Sequence, residues 1–385
     1  MATHDGFPQE LLAQPGKARL AYFRDKIVAH PLLKKTHSAL IDAIKHRENV
    51  SLILVLGPTG VGKTTLRLRI EKQLIEDALP ELEKDQGMIP VASMELPAPD
   101  SGNFKWRDYY TRALIALNEP LIEHKIDYNL PHMRLDSRGN LVVPRKACTS
   151  DLRWALEKCM CYRKLACFII DESQHFKKMV TGRRLLDQMD TIKSLASGTN
   201  TLHVLIGTYE LLGLANLSAQ LSRRSLEIHF PRYNLEFSED IVAFQSVLST
   251  FQSHLPLAKE PDLVKRYEYF YERSVGCVGI LKNWLNRALA AALDANETTI
   301  SFKLLEKYAE PTHKLLRMAR EIKEGEDQLA NEEGNSELRM LLGIAPTSVD
   351  TSVSKNPGDA PLRQQSGTVG KRKPVRDAIG TDVHG

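Results

Sequence analysis

Residues 57–64 read Gly-Pro-Thr-Gly-Val-Gly-Lys-Thr, and this spacing of glycines, lysine and threonine suits the binding of a polyphosphate. The glycines let successive backbone N–H groups turn inward around phosphate oxygens. Lys63 would reach the β and γ phosphates, and the hydroxyl of Thr64 would hold Mg²⁺. A glycine-rich turn without a ligand is the alternative. The candidate nucleotide-binding residues are Gly57, Pro58, Thr59, Gly60, Val61, Gly62, Lys63, Thr64 and Thr65.

A second chemical pattern is CFIIDESQHF at residues 167–176. Its apolar residues predict a strand that ends at Asp171 and Glu172, and ligands bind at the carboxyl ends of strands in open α/β sheets. Asp171 is the natural partner of Mg²⁺, and Glu172 would orient and polarise an attacking water. Adjacent Asp and Glu indicate hydrolysis rather than transfer to an acceptor. The alternative is a pair of acids that merely ends a strand.

Two further motifs could complete such a site. In HVLIGTYELLG, Thr208 follows an apolar run, so its hydroxyl could contact the γ-phosphate or the water, or could instead cap the next helix. In QLSRRSLEIHFP, Arg223 and Arg224 precede another strand. An arginine placed here on one subunit can neutralise transition-state charge in the site of the next subunit. A pair of surface cations is the alternative.

Alternating strands and helices must position these side chains. Apolar runs predict strands at 52–56, 89–96, 166–171, 202–207 and 226–230, and a helix at 63–77, which is typical of a parallel α/β sheet. Residues 1–50 show helical patterning with a break at Pro31. Residues 237–318 predict consecutive helices. The polar insertion at 121–146 predicts a hairpin around Ser137, Arg138, Gly139 and Asn140.

Composition limits the class of protein. With 385 residues, 42% hydrophobic and 26% charged, the chain can bury a core, and its net charge of +4 is too small to prove a nucleic-acid partner. Five cysteines, without paired C-x-x-C spacing, favour reduced thiols over zinc. No run reaches the ~18 apolar residues of a membrane span, and the N-terminus has no signal-peptide character. We therefore expect a cytoplasmic protein without a membrane partner.

In this order the motifs resemble those of AAA+ ATPases: phosphate loop, Asp-Glu strand, polar sensor, arginine finger and helical lid. The segments at 22–44, 166–176, 205–211 and 221–225 are similar to those of TnsC/TniB-type ATPases, the target-selection regulators of Tn7-like DNA transposons, some of them CRISPR-associated. The similarity covers residues 20–310. It implies an α/β P-loop core with strand order 5-1-4-3-2, in the chain order of the five strands above, with an all-α lid. It leaves the C-terminal tail unmatched, and the composition of that tail predicts disorder.

Patterning and composition divide the chain into four regions, which the resemblance interprets as an N-terminal helical segment at 1–50 that flanks the nucleotide site, an ATPase core at 51–235, a lid at 236–318 and a partner-docking tail at 319–385. The resemblance implies that Lys63, Thr64, Asp171, Glu172 and Thr208 bind and hydrolyse ATP with Mg²⁺. It also implies that Ile27, His30 and Pro31 lie by the adenine.

ATPases of this type assemble with ATP into a ring or helical filament around duplex DNA and grip its backbone with little sequence preference. About six or seven subunits per turn would multiply a few cations per subunit, because non-specific affinity comes from counterion release. Trp106 is expected to pack in the core and not to stack on a base. The alternative to a DNA contact at Arg145 and Lys146 is a solvated loop. The matching DNA-contact candidates are Lys105, Arg107, Arg145, Lys146 and Thr149.

One position departs from the family pattern. Ile280 stands where a lid helix commonly carries a second sensor arginine, and Lys282 or Arg287 would have to replace it. Slow hydrolysis, suited to a switch, would follow.

The tail from 354 to 385 has six Lys or Arg against three Asp and low hydrophobicity, so it cannot bury a core. The resemblance implies that it docks the transposase, with a passive solubilising tail as the alternative. A target-selector protein is the other expected partner. A signalling NTPase switch and a secretion-linked ATPase are the competing functions.

Overall fold

The computed structural model describes residues 6–98, 104–125, 134–135, 141–142, 147–179, 183–215, 224–330 and 339–343. Residues 1–330 form one compact unit and 331–385 a second one, of which a single helical turn at 339–343 is described. Arg145, Lys146 and Arg223 lie outside the described residues, as does the part of the tail that carries the basic cluster. None of the helices in the described ranges is long and apolar enough to cross a membrane.

A parallel sheet of five strands forms the centre of the first unit. Its strands are β1 (Leu52–Leu56), β2 (Val91–Glu95), β5 (Cys167–Asp171), β6 (Leu202–Gly207) and β7 (Ser225–His229), in the order β2-β5-β6-β1-β7. This order confirms the 5-1-4-3-2 arrangement. A separate antiparallel pair, β3 (Arg134–Leu135) and β4 (Leu141–Val142), flanks the predicted turn at 137–140.

Helices cover both faces of the sheet. The apolar run of β1 is buried on both sides: Ile53 and Val55 pack in one hydrophobic cluster, and Leu52, Leu54 and Leu56 in another. Because successive strand side chains point to opposite faces, a continuous apolar strand needs a helical layer on each side. One layer contains α2 (Pro31–Lys45) and α3 (Lys63–Asp77); the other contains α5 (Trp106–Ala116), α6 (Thr149–Tyr162) and α7 (Arg183–Thr199). Short helices α4 (Leu79–Leu82) and α8 (Leu212–Ala215) connect these elements.

The helical lid is built around Trp284, which is fully buried and donates from its indole nitrogen to the carbonyl of Leu305 at 2.9 Å. Its helices are α9 (Ser238–His254), α10 (Tyr267–Ser274), α11 (Val278–Asp294) and α12 (Phe302–Tyr308). Helix α1 (Gly16–Asp25) also belongs to it, because Phe23 is buried in the lid cluster. The segment at 1–50 therefore divides, with α1 in the lid and α2 in the core.

The last helix, α13 (Thr312–Ala330), crosses the predicted boundary between lid and tail at residue 318. Leu315 and Ile322 are buried in the core cluster, and Gly325 lies so close to the ring of Tyr209 that a Cβ there would overlap it. A bidentate pair from Arg232 to Glu326, with both distances 3.0 Å, fixes the helix. The prediction that the tail begins at 319 is thus wrong, because apolar residues at helical spacing hold this charged segment on the core.

Two buried histidines make stability depend on pH. His203 of β6 is fully buried, and burial lowers its pKa to about 4; burial, with the nearby Arg69, lowers the pKa of His30 to about 4 as well. The unfolded chain takes up these protons near pH 6.5 and the folded one does not, so stability falls as the pH drops from about 6.5 toward 4. We expect each histidine to remove about 2 kcal/mol between pH 7.5 and 5.

The check is urea unfolding of the wild type and of His203→Leu at both pH values. The leucine variant should lose about 2 kcal/mol less than the wild type on going to pH 5. An equal loss in the two proteins would show that the fold does not lower the pKa of His203.

Candidate functional site

The loop between β1 and α3 has the geometry of a phosphate cradle. Gly62 adopts φ 118°, which side chains other than glycine rarely reach, and α3 starts at the next residue. Lys63 is buried, and its ammonium donates to the carbonyls of Gly57 at 3.1 Å and Pro58 at 2.9 Å. Burial lowers the pKa of Lys63, while Glu172 and Asp171 oppose that shift. The loop therefore encloses a positive charge at the N-terminus of a helix.

Thr64 and Asp171 come together as the sequence predicts. The hydroxyl of Thr64 donates to Oδ2 of Asp171 at 3.0 Å, and Nε of Arg67 lies 3.4 Å from the same oxygen. Asp171 is only 2% exposed, so its charge needs these partners. A hydroxyl and a carboxylate side by side are the hard oxygen ligands that Mg²⁺ prefers. The pair thus suits a magnesium ion next to the phosphate loop.

Glu172 and Thr208 lie beside this pair, at the ends of β5 and β6. Glu172 has φ 55°, a left-handed conformation that costs a non-glycine residue of order 1–3 kcal/mol and is typical of functional sites. Thr208 precedes a helical turn, but its side chain makes no capping hydrogen bond. Its hydroxyl oxygen is buried and has no hydrogen-bond partner. The capping interpretation of Thr208 is therefore not supported, and its buried hydroxyl stays without a hydrogen-bond partner next to the cleft.

The lid touches the phosphate loop directly. The N–H of Gly279 donates to the carbonyl of Gly60 at 2.7 Å, and Ile280 lies next to Gly60. Lys282 instead donates to the carbonyl of Arg24 in α1 at 2.6 Å. Of the two proposed replacements for a sensor arginine, only Arg287 lines the cleft.

A cleft of ≈ 1060 Å³ opens beside Gly60, between the ends of β5 and β6, the lid helix α11 and α13. This volume accommodates a nucleotide. On the side of the lid and α13, three cations line it, and each is paired with a carboxylate: Arg287 with Glu310 at 2.8 Å, Lys314 with Glu310 at 2.8 Å, and Arg317 with Glu321 at 3.1 Å. Because Arg287 and Lys314 share Glu310, these three cations face two carboxylates and are only partly neutralised within the subunit.

Of the N-terminal residues expected by the adenine, His30 is separated from the phosphate loop by the side chain of Phe230. His30 is buried, contacts the hydroxyl of Tyr233 through Nδ1 at 3.1 Å, and stacks on Phe230 with ring centroids 6.3 Å apart. Phe230 in turn packs against Gly57. Ile27 is 46% exposed and Pro31 begins α2. Only Ile27 and Pro31 present accessible surface to a base.

Arg224 lies at the amino ends of the strands, whereas the phosphate loop lies at their carboxyl ends. Its carbonyl accepts hydrogen bonds from Ser51 and Leu52 at the start of β1, and its side chain is exposed, 3.5 Å from the hydroxyl of Ser197. The five residues of β1 separate it from Gly57, which corresponds to about 16 Å of strand. Arg224 therefore cannot reach the nucleotide site of its own subunit.

The described DNA-contact candidates share one neighbourhood. Arg107 donates to the carbonyl of Ala147, which brings the start of α5 beside the start of α6. Lys105 and Thr149 are exposed there, whereas Arg107 is half-buried and links the two segments. Trp106 stacks on Tyr110 with centroids 5.5 Å apart, which confirms that it packs with the core.

Sequence reasoning missed two polar residues of the site. Arg67 neutralises Asp171, and Gln174 bonds to both Glu172 and the backbone of Thr208. Arg67 lies one helical turn after Thr64, and that spacing was a usable signal. Gln174 sits in the quoted DESQ sequence, but only the fold shows what its amide contacts.

Residues 46–214 match the model of a family described as AAA domain. Comparison with curated proteins finds no match. Residues 46–214 are thus similar to an AAA domain, and the core has the P-loop fold, which supports nucleotide binding and hydrolysis in general.

Several solved structures are similar to the chain. Cdc6p from Pyrobaculum aerophilum has 14% identity and a TM-score of 0.50 and covers 75% of this chain and 69% of its own. The ORC1 protein of Aeropyrum pernix in complex with DNA has 17% identity, a TM-score of 0.49, and coverage of 75% and 68%. The ORC2 protein of the same organism has 16% identity, a TM-score of 0.47, and coverage of 76% and 73%. At these identities the likeness is one of fold.

Proposed function

We propose that this chain is a Mg²⁺-dependent ATPase that assembles with ATP on duplex DNA, connects target-site selection to a transposase and is reset by hydrolysis. The single observation that supports assembly is the position of Arg224. Its side chain is exposed at the amino ends of the strands, and the phosphate loop of the same subunit lies at the carboxyl ends. The resemblance to TnsC/TniB-type ATPases supports the link to transposition.

In this proposal the residues at the sheet edge divide the work of hydrolysis. The loop amides and Lys63 bind the phosphates, and Glu172 orients the attacking water and accepts its proton. Thr208 offers its unpaired hydroxyl to the γ-phosphate or the water. Thr64 and Asp171 would hold Mg²⁺, which supplies positive charge next to the phosphates.

A second copy of the chain would complete the site. The three cations on the lid side of the cleft share Glu310 and Glu321, so only part of their positive charge remains there for the transition state. An arginine from a neighbouring subunit supplies such charge, and it reaches the site only when the two subunits assemble. Hydrolysis is then fast only in the assembly, as a switch requires.

The DNA contacts rest on Lys105 and Thr149, which are exposed and adjacent, with Arg145 and Lys146 in the same loop of the sequence. One or two cations per subunit suffice when many subunits surround the duplex. The basic tail, with its KRKPVR sequence, would dock the transposase. A target selector would recruit the assembly to its site.

Electron microscopy of the full chain with duplex DNA and a non-hydrolysable ATP analogue tests this function. We expect rings or helical filaments that surround the DNA and that disappear when Lys63 is replaced by alanine. Discrete monomers on DNA in the presence of saturating analogue would refute the assembly.

ATPase rates separate this function from its competitors. A DNA regulator should hydrolyse ATP faster with duplex DNA, and raising the salt concentration should remove that stimulation because the contacts are electrostatic. A signalling switch or a secretion-linked ATPase would show no response to DNA.

A further inference from the structure

Beyond the motif residues, the ends of β5 and β6 are joined by one buried amide. We propose that Gln174 is a positioning residue for hydrolysis, whose side chain holds the carboxylate of Glu172 at a fixed place relative to Thr208 and the phosphate loop. This inference rests on the proposed ATPase function.

The amide of Gln174 makes one hydrogen bond on each side. Its Nε2 donates to Oε2 of Glu172 at 2.6 Å, and its Oε1 accepts from the backbone N–H of Thr208 at 3.3 Å. Gln174 is only 5% exposed, so water does not compete for either bond. The side chain of Gln174 therefore links the carboxylate of Glu172 to the backbone of Thr208.

The orientation of this amide is determined by its partners. The N–H of Thr208 can only donate, and an ionised carboxylate can only accept. The oxygen of the Gln174 amide must therefore face Thr208, and its nitrogen must face Glu172. A flipped amide would oppose two donors on one side and two acceptors on the other.

Glycine at position 207 leaves room for this link. A Cβ on Gly207 would lie 2.5 Å from Oε1 of Gln174, which is closer than real Cβ contacts. The carbonyl of Gly207 also accepts from the N–H of Gly57 at 3.2 Å. A chain of contacts thus runs from Glu172 through Gln174 and the end of β6 to the start of the phosphate loop.

The hydrogen bond from Gln174 restrains the carboxylate of Glu172, which is also attracted by the ammonium of Lys63. Glu172 interacts electrostatically with the ammonium of Lys63, and its backbone is already in the left-handed region. A donor on Oε2 competes with that ammonium for the carboxylate and fixes one of its two oxygens, so Oε1 can accept a proton from water. Misplacement of a reacting group by about 1 Å can cost 100-fold in rate.

The test replaces Gln174 by glutamate in the full chain. Gln174→Glu keeps an acceptor for the N–H of Thr208 but cannot donate to Glu172 when ionised. We expect kcat for ATP hydrolysis to fall about 10- to 100-fold, while nucleotide affinity, measured directly by calorimetry, stays near the wild-type value. Gln188→Glu, the same change at another buried glutamine on α7, controls for burial of a carboxylate and should leave kcat unchanged.

A double-mutant cycle separates positioning from simple structural damage. The Glu172→Gln variant keeps a residual rate of ATP hydrolysis, and adding Gln174→Glu to it should lower that rate by less than about twofold. The reason is that the effects of residues that act as a unit are not additive. Gln174→Leu gives the same comparison without an added charge. Losses that multiply in the cycle, or a Gln174→Glu variant with wild-type kcat, would overturn the proposal. If Glu172→Gln alone left kcat unchanged, the ATPase mechanism itself would fail, which is a different outcome.

Discussion

Replacing Glu172 by glutamine should lower kcat for ATP hydrolysis by about 10²- to 10⁴-fold, the usual contribution of a positioned general base. The amide keeps the shape of the carboxylate but cannot take a proton from water. Nucleotide affinity should not decrease, because Glu172 touches neither the loop amides nor Thr64. The measurements are steady-state phosphate release and direct binding of ATP.

Glu210→Gln is the matched control for this prediction. Glu210 lines the same cleft and is exposed, and it follows Thr208 by two residues. The same change of charge at this position should leave kcat close to the wild-type value. A similar loss in both variants would mean that the cleft needs negative charge in general and that Glu172 is not the base. A fully active Glu172→Gln variant would place the base elsewhere.

Patterns within short segments were enough to predict the sheet and the phosphate loop. Strand β1 and helix α3 have the predicted limits, because an apolar run, a glycine-rich loop and a helix-forming sequence follow one another directly. The strand order came from the family resemblance and not from periodicity. The pairing of Thr64 with Asp171 followed from both being placed at the carboxyl edge of parallel strands.

Long-range packing decided the parts that local patterns could not predict. Helix α13 is rich in charged residues, and only its contact with Tyr209 and its ion pair with Arg232 show that it belongs to the core. The hydrogen bond from the N–H of Thr208 to Gln174 joins residues that are far apart in sequence, so spacing alone could not indicate it. The assignment of α1 to the lid has the same cause, since Phe23 packs against Phe251.

The contact between lid and loop explains the apolar residue at position 280. Ile280 packs against Gly60, and a Cβ on Gly60 would lie 2.6 Å from its side chain, so this place is filled by hydrocarbon. Coupling between nucleotide and lid then runs through the hydrogen bond from Gly279 to Gly60 and through packing, rather than through a guanidinium on the γ-phosphate. In the proposed ATPase, such a site lacks one source of transition-state charge, which makes an arginine from the neighbouring subunit more important.

Replacing both Arg223 and Arg224 by alanine should lower DNA-stimulated ATPase activity by about 10³-fold or more, the scale on which an arginine finger acts. The backbone bonds of residue 224 to β1 do not involve its side chain, so the subunit should fold and bind ATP as before. Arg24→Ala, at an exposed arginine on α1, is the control and should keep the wild-type rate.

Mixing variants tests whether the arginines act on a neighbouring subunit. Subunits with Glu172→Gln keep their arginines, and subunits with the double alanine change keep their Glu172. In a mixed assembly on DNA, every interface that joins an intact arginine pair to an intact Glu172 is complete, so activity should reappear when two inactive preparations are combined. Arginines that act within one subunit give no recovery at any mixing ratio, because no chain in the mixture then carries both groups.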